Sequence, residues 1–393
     1  MTTATGVLDQ VVMSGTSALV AILVARGAGV EEFGQFALVQ AFLIFYQGGL
    51  RAVPGSWILV ELAGRPRQTV ESFFGPALRG ATFWGSVCGA VMLAVALAIG
   101  VRDPWMLAAS VLLPVGVSLT TLRRLAHYSF GEAGRALGIS VATTALCVPL
   151  WLLWPSTGPF HAFVVYAVAT FSVGVCVAVP HITAGRSVRE FVALGDGFHL
   201  QVIGNTALAN SRTVLFPWAA QGVAGAVPVA GVRGAQTVAA IPLQVPQGIQ
   251  PLAQASLSRA QSRASERRGL RRWNVLQAIL VVPMCVASVV MPDSVGTFLL
   301  GDTWVHAEDS LPWILLGAFV AQVTAGYEML LRKWQTLRHL LRVKALCLPV
   351  ALVVAWPLTV AWGATGVALA ILLDNLVVMI AAVCLVKIRM KES

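Results

Sequence analysis

Charge is what this chain has least of: only 11% of its 393 residues are Asp, Glu, Lys or Arg, and the acids number 17. A soluble globular chain uses about 25% charged residues, so this one has too few to cover a water-exposed surface. No long polar stretch between apolar blocks leaves room for a sizeable extramembrane domain. The six cysteines, Cys88, Cys147, Cys176, Cys285, Cys347 and Cys384, all fall inside apolar segments without CxxC or Cys/His spacing. That excludes a disulfide framework or a zinc site and leaves them as small packing residues. Catalytic signatures are missing as well: no phosphate-binding P-loop, no HExxH, no nucleophile elbow, and no paired carboxylates in the outer connections such as a membrane glycosyltransferase needs. A chain without these has no ATP motor of its own.

What is present is apolar. Hydrophobic residues make up 57% of the chain, and the mean hydropathy is +0.79. A bilayer core of roughly 30 Å takes about 20 mostly apolar residues per helix, which gives room for about twelve spans with short loops. The blocks fall at approximately 7–26, 35–60, 74–100, 105–122, 136–154, 161–182, 199–222, 229–254, 274–299, 310–331, 345–362 and 367–386. The first, near Val7 to Ala25, is not followed by a small-residue cleavage site and is expected to be a span rather than a removed signal peptide.

The net charge of +10 sits beside these blocks, not on one solvated face, so it predicts orientation and not a nucleic-acid partner. Every second connection is basic: Arg65 and Arg67; Arg123, Arg124 and Arg135; Arg186 and Arg189; Arg259 to Arg272; Arg332 to Lys344; and Lys387, Arg389 and Lys391. The positive-inside rule puts these connections and both termini in the cytoplasm. The alternate connections, among them Gly27 to Phe33 and Gly301 to Asp309, are short and neutral or acidic and are expected to face outward. The preference for Arg over Lys, with abundant Ala, Val and Gly, suggests a GC-rich bacterial genome and hence the bacterial cytoplasmic membrane.

Several features recur about 200 residues apart. Ala145-Leu146-Cys147-Val148-Pro149 matches Ala345-Leu346-Cys347-Leu348-Pro349, and each runs on to a Trp-Pro pair, Trp154-Pro155 and Trp356-Pro357. Gln47-Gly48 matches Gln247-Gly248, with Gly34 and Gly234 opening the two helices. The shared offset predicts a duplication into an N-terminal lobe, residues 1–190, and a C-terminal lobe, residues 191–393. Six spans is an even number, so both halves start inside and are related by a pseudo-two-fold axis along the membrane normal, enclosing a cleft. The expected fold class is an all-α membrane protein of about 12 transmembrane helices in two six-helix lobes.

Ionisable residues deep in a span cost several kcal/mol unless they face protein or water. Glu61 with Arg65 and Glu328 with Arg332 have i,i+4 spacing near cytoplasmic ends and read as interfacial pairs. Arg79 and Arg233 lie near enough to span ends to snorkel. Arg51 and Arg212 sit roughly 13 to 20 Å from a helix end, beyond easy snorkelling. A planar guanidinium suits phosphate oxygens, which makes these two candidates for an anionic ligand; the alternative is an Arg satisfied by helix-end carbonyls or by a distant acid such as Asp374. Gln40 and Gln47, Asn205 and Asn210, and Gln236, Gln244, Gln247, Gln250 and Gln254 add amides. Facing lipid they would be costly, so they point to a hydrated interior that could take hydroxyl-rich cargo, or to interhelical hydrogen bonds. Asp9 and Asp374 are the remaining buried acids, candidates for a coupling proton or cation; Asp9 also fits the cytoplasmic interface.

The segment Ser14 to Val24 followed by Ala25-Arg26-Gly27-Ala28-Gly29-Val30-Glu31-Glu32-Phe33-Gly34-Gln35-Phe36-Ala37 resembles the opening of Wzx-type polysaccharide-biosynthesis flippases of the multidrug/oligosaccharidyl-lipid/polysaccharide (MOP) exporter superfamily. The span count and the two halves extend the resemblance to the whole chain, while Glu31 to Phe36 has the look of a structural motif. The resemblance implies a MATE-like fold and alternating access, with a polyprenyl-pyrophosphate-linked oligosaccharide as cargo and glycan polymerases or ligases as partners. It implies no cofactor beyond coupling to H+, Na+ or the membrane potential. Arg51 and Arg212, with Arg233 and Arg79, would then attract the pyrophosphate while Gln and Asn side chains accept the glycan. Two alternatives stand beside it: a cation-coupled multidrug exporter, which would want buried acids, and a membrane glycosyltransferase or polymerase, which would want acidic or nucleophilic residues in outer loops.

Overall fold

The structure, a computed structural model, describes residues 2–50, 67–154, 158–178, 197–258, 262–334 and 336–391. All regular structure among them is helical. Among the described residues, eight helical stretches are long and apolar enough to cross a membrane.

The first six helices are α1 (Thr2–Gly27), α2 (Val30–Leu50), α3 (Arg67–Ala98), α4 (Pro104–Ser129), α5 (Ala133–Leu153) and α6 (His161–Ala178). Then come α7 (Gly197–Ala224), α8 (Ala226–Ser258), α9 (Arg263–Val289), α10 (Asp293–Leu300) and α11 (Trp304–Ala307). The last two are α12 (Leu311–Lys333) and α13 (Leu337–Lys391), the latter bent at Gly363, whose φ of 54° and ψ of −127° no helical residue adopts.

Local sequence explains where the helices begin and end. Asp103 accepts the Met106 N–H at 2.8 Å, and Pro104, with no N–H of its own, opens α4. Gly131, at φ 74°, turns the chain out of α4, and the Glu132 N–H closes on the His127 carbonyl at 2.8 Å. Ser262 and Ser265 cap α9 reciprocally.

Several boundaries differ from the sequence reading: α4 runs past the expected end at Leu122 to Ser129, α9 starts at Arg263 and not at 274, and the spans expected at 345–362 and 367–386 are the two arms of the bent α13. The link between the first two spans is shorter than Gly27 to Phe33: α2 already begins at Val30, and Glu31 and Glu32 stand in its first turn, where the helix dipole favours carboxylates. Glu32 also accepts the Gly29 N–H at 3.0 Å. The ninth span, expected over 274–299, ends at Val289, ten residues early, because Pro292 cannot continue a helix. The expected outer loop Gly301 to Asp309 is instead a string of short helical turns leading into α12.

The chain divides into two compact units, Met1–Ala28 with Leu38–Asn210, and Gly29–Ala37 with Ser211–Ser393. Helices α2 and α7 each contribute to both. In the first unit α4 packs on α3, α5 and α6, and α1 packs on α5 and α6. Gly116 makes the α4 and α6 contact close: a Cβ there would lie 2.6 Å from the Phe171 backbone nitrogen. Trp105, Trp154 and His161 form a chain of ring contacts, with Trp105 edge-on to Trp154 at 5.3 Å. In the second unit α12 packs on α8, α9 and α13. The Glu31 to Phe36 motif belongs here: Phe33 and Phe36 are fully buried and stacked at 5.8 Å. A Cβ on Gly34 would come within 2.9 Å of the Ala226 carbonyl carbon.

Candidate functional site

Each unit buries a network of ionisable side chains that includes sequence candidates. In the first, Asp9 on α1 is fully buried and opposes Arg124 on α4, which is 6% exposed. Arg124 Nη2 lies 2.5 Å from Oδ2, and Nε reaches Oδ1 at 3.2 Å and Oδ2 at 3.1 Å. Tyr128, one turn on from Arg124, donates its hydroxyl to Oδ2, and Ser140 on α5 donates to Oδ1. Three helices thus meet on one carboxylate. The neighbouring Arg123 points elsewhere and stacks over the Phe74 ring of α3 at 5.4 Å. Further along, Thr16 and Thr144 link α1 to α5 at 2.7 Å, and Tyr46 on α2 reaches Ser118 at 2.6 Å and donates to the Ala81 carbonyl at 2.8 Å.

Arg123 and Arg124 read in the sequence as orientation charges in a solvated gap; both prove to be buried inside α4. Asp9 is not left at an open interface. The signal for Arg124 was weak, because the apolar run before it fits a span that stops at Leu122. Helix α4 continues through Ser129 because the acid that neutralises Arg124 lies 115 residues earlier in the chain.

In the second unit Arg212 on α7 faces Asp374 on α13. Arg212 Nε lies 2.8 Å from Asp374 Oδ2, with side-chain exposures of 12% and 1%. The two are close but misaligned: neither Asp374 oxygen, nor Arg212 Nε or Nη2, has a hydrogen-bond partner among the described residues. Nη1 does have one, Asn375 Oδ1 at 3.2 Å, and Asn375 in turn donates to the Gly317 carbonyl of α12 at 3.2 Å. Lys344, 3% exposed, acts electrostatically on both Arg212 and Asp374 and binds Glu328 at 2.6 Å. Arg332 reaches the other Glu328 oxygen at 3.6 Å. The expected Glu328 and Arg332 pair therefore exists, with Lys344 as the nearer partner. Arg212, Lys344 and Arg332 against Asp374 and Glu328 leave the network with one positive charge in excess.

The other candidates are spread out. Arg51 lies outside the described residues, as do Glu61 and Arg65. Arg79 is exposed on α3, and Arg233 is half-buried on α8. Gln40 is 5% exposed and Asn205 1%. Gln47 and Gln236 are half-buried, and the side chains of Gln244 and Gln247 lie outside the described residues. The structure brings Asn210 against Gly48: its amide oxygen lies 2.9 Å from where a Cβ would stand. In the sequence Glu328 and Lys344 read only as charges at cytoplasmic helix ends, and Asn375 only as the neighbour of Asp374; that they reach the Arg212 network from other helices is visible in the structure alone.

No family model matches the chain, and no curated protein does either. Solved structures do. An inward-facing multidrug resistance MATE family transporter of the MOP superfamily aligns with 100% of this chain and 95% of its own, at a TM-score of 0.68 and 14% identity. The lipid II flippase MurJ, in an inward closed conformation, aligns with 95% of this chain and 86% of its own, at 0.73 and 10%. A mutant of the Vibrio cholerae MATE transporter VcmN aligns with 100% of this chain and 96% of its own, at 0.64 and 12%. At such identities the likeness is one of fold: this chain has the helical fold that MATE transporters and MurJ share.

Proposed function

We propose that the chain is a transporter of the bacterial cytoplasmic membrane that moves a polyprenyl-pyrophosphate-linked oligosaccharide by alternating access, with twelve spans in two six-helix lobes. The full-length likeness to exporters and to a lipid II flippase supports transport over catalysis. The 200-residue repeat supports the two-lobe organisation, since Pro149 and Pro349 of the matching segments both lie inside long helices, α5 and α13.

One observation carries the choice of cargo. Every buried acid among the described residues already lies within ion-pair distance of an Arg or Lys: Asp9 of Arg124, Asp374 of Arg212, and Glu266 of Lys333. A cationic drug would have to displace an arginine or lysine to find a carboxylate. An anion meets the opposite situation at Arg212. Its Nε and Nη2 form the edge that grips phosphate oxygens two at a time, and neither spends a hydrogen bond on Asp374. Nη1 holds the group in place through Asn375. In this reading Asp374 is a placeholder that phosphate displaces, with Lys344 nearby to compensate the released carboxylate. Arg51, Arg233 and Arg79 are further candidates to guide the pyrophosphate, and the amides of Gln40, Gln47, Asn205, Asn210, Gln236, Gln244 and Gln247 to line a path for sugar.

Proteoliposomes carrying a fluorescent polyprenyl-pyrophosphate oligosaccharide test it. Arg212→Ala should cut flipping by about tenfold or more, with insertion unchanged, and Arg212→Lys should restore only part of it. Normal flipping by Arg212→Ala and Arg51→Ala together removes the assigned role. The second reading is a cation-coupled multidrug exporter, favoured by the MATE likeness and by the unfilled oxygens of Asp374. Drug efflux driven by a proton or sodium gradient, lost in Asp374→Asn, would establish it in place of the first.

A further inference from the structure

The basic stretch that opens α9 is divided by the helix into two faces. Its one acid, Glu266, is buried and fully engaged: it accepts from Arg263 at 3.0 Å and Lys333 at 2.7 Å, and from the Trp334 indole at 3.3 Å. The far side of the helix carries Arg268, Arg271 and Arg272 with no carboxylate for any of them among the described residues; Arg268 makes only a long contact of 3.4 Å to the Ala264 carbonyl. These three arginines line an open groove of about 450 Å³ with Val275, Leu276 and Ile279. The spacing, i, i+3, i+4, i+7, i+8 and i+11, places all six on one helical face. The face runs about 16 Å from guanidinium groups to aliphatic side chains. It continues without a polar break, since Val275 is 49% exposed, Ile279 64%, Val282 44% and Val286 60%.

A free anion would use the charged end and leave the aliphatic end unfilled. A soluble acidic partner would have no use for a strip of bare valine and isoleucine. A phospholipid matches both in the order found, with phosphate against arginine and acyl chain along the helix. We infer that this face of α9 holds a resident anionic phospholipid, gripped at its phosphate by Arg268, Arg271 and Arg272 and along one acyl chain by Val275 and Ile279. The inference concerns a lipid of the surrounding bilayer and stands apart from the cargo proposed above.

Native mass spectrometry of the delipidated full chain, titrated in micelles with dioleoyl phosphatidylglycerol or dioleoyl phosphatidylcholine, tests it. The phosphatidylglycerol adduct should be retained about tenfold or more in preference to phosphatidylcholine. The combined variant Arg268→Gln, Arg271→Gln and Arg272→Gln should lose that preference, while Arg267→Gln keeps it. Thermal unfolding of each variant checks that the fold survives, and single substitutions, each lowering the preference in part, replace the combined variant if it does not. Equal retention of the two lipids, or a preference untouched by these substitutions, overturns the site. Displacement of phosphatidylglycerol by an equal amount of polyprenyl pyrophosphate would make the groove a port for cargo and would also overturn it.

Discussion

Removing the carboxylate of Asp9 strands Arg124 in a position 6% exposed, with Tyr128 and Ser140 losing their acceptor as well. Breaking a buried pair from one side costs about 3–5 kcal/mol, whereas replacing both partners is far milder. Asp9→Ala should therefore lower the thermal transition of the purified protein sharply, and Asp9→Ala with Arg124→Leu should recover much of it; additive losses would show that the two side chains are not coupled. The contrast with Arg212 is chemical. Asp9 is held by four donor atoms on two helices, while Asp374 faces its arginine without one aligned hydrogen bond. Asp374→Asn is accordingly expected to destabilise less than Asp9→Asn, with unfolding in detergent as the measure. The sequence marked Asp9, Arg212 and Asp374 as expensive residues, since depth in an apolar run is visible in one dimension. It could not show that Arg124 and Lys344 are buried, because each lies at the edge of an apolar run and its partner comes from another helix.

Helix contacts turn on small residues whose spacing says nothing about what they face. Gly116→Val should push α6 off α4, because the added carbons meet the Phe171 backbone, which has no rotamer to yield. Gly34→Ala meets the Ala226 carbonyl in the same way. Each should cost about 1–3 kcal/mol in thermal unfolding. Gly48→Ala should be milder, since it meets the end of the movable Asn210 side chain. Helix existence was legible from length and hydropathy, and most boundaries lie within a few residues of the apolar blocks. The misjudged stretch, 274–310, failed for a physical reason: apolar side chains continue through Met291 and Phe298, and only the missing N–H of Pro292 ends the helix.

For the molecule as a whole, the charge pattern predicts a sidedness that labelling can read. In a cysteine-free background, Arg135→Cys should react with a membrane-impermeant maleimide only after the cells are opened, and Asp302→Cys in intact cells. The reverse pattern would invert the orientation. The repeat at 200 residues, visible in short matching segments, does not extend to the ion pairs: one unit places its acid on the first helix and its arginine on the fourth, the other an arginine on α7 and the acid on α13. These long separations also impose an order of events on synthesis at the ribosome. When α1 emerges, the arginine that will neutralise Asp9 is 115 residues from being made. Asp9 stands near the N-terminal end of α1, so alone it can keep its carboxylate at the headgroup level and costs less than the about 2.5–3.5 kcal/mol of an aspartate at a helix centre. The first helix can therefore insert with that carboxylate still at the water boundary, and only the arrival of α4 with Arg124 closes it off from solvent.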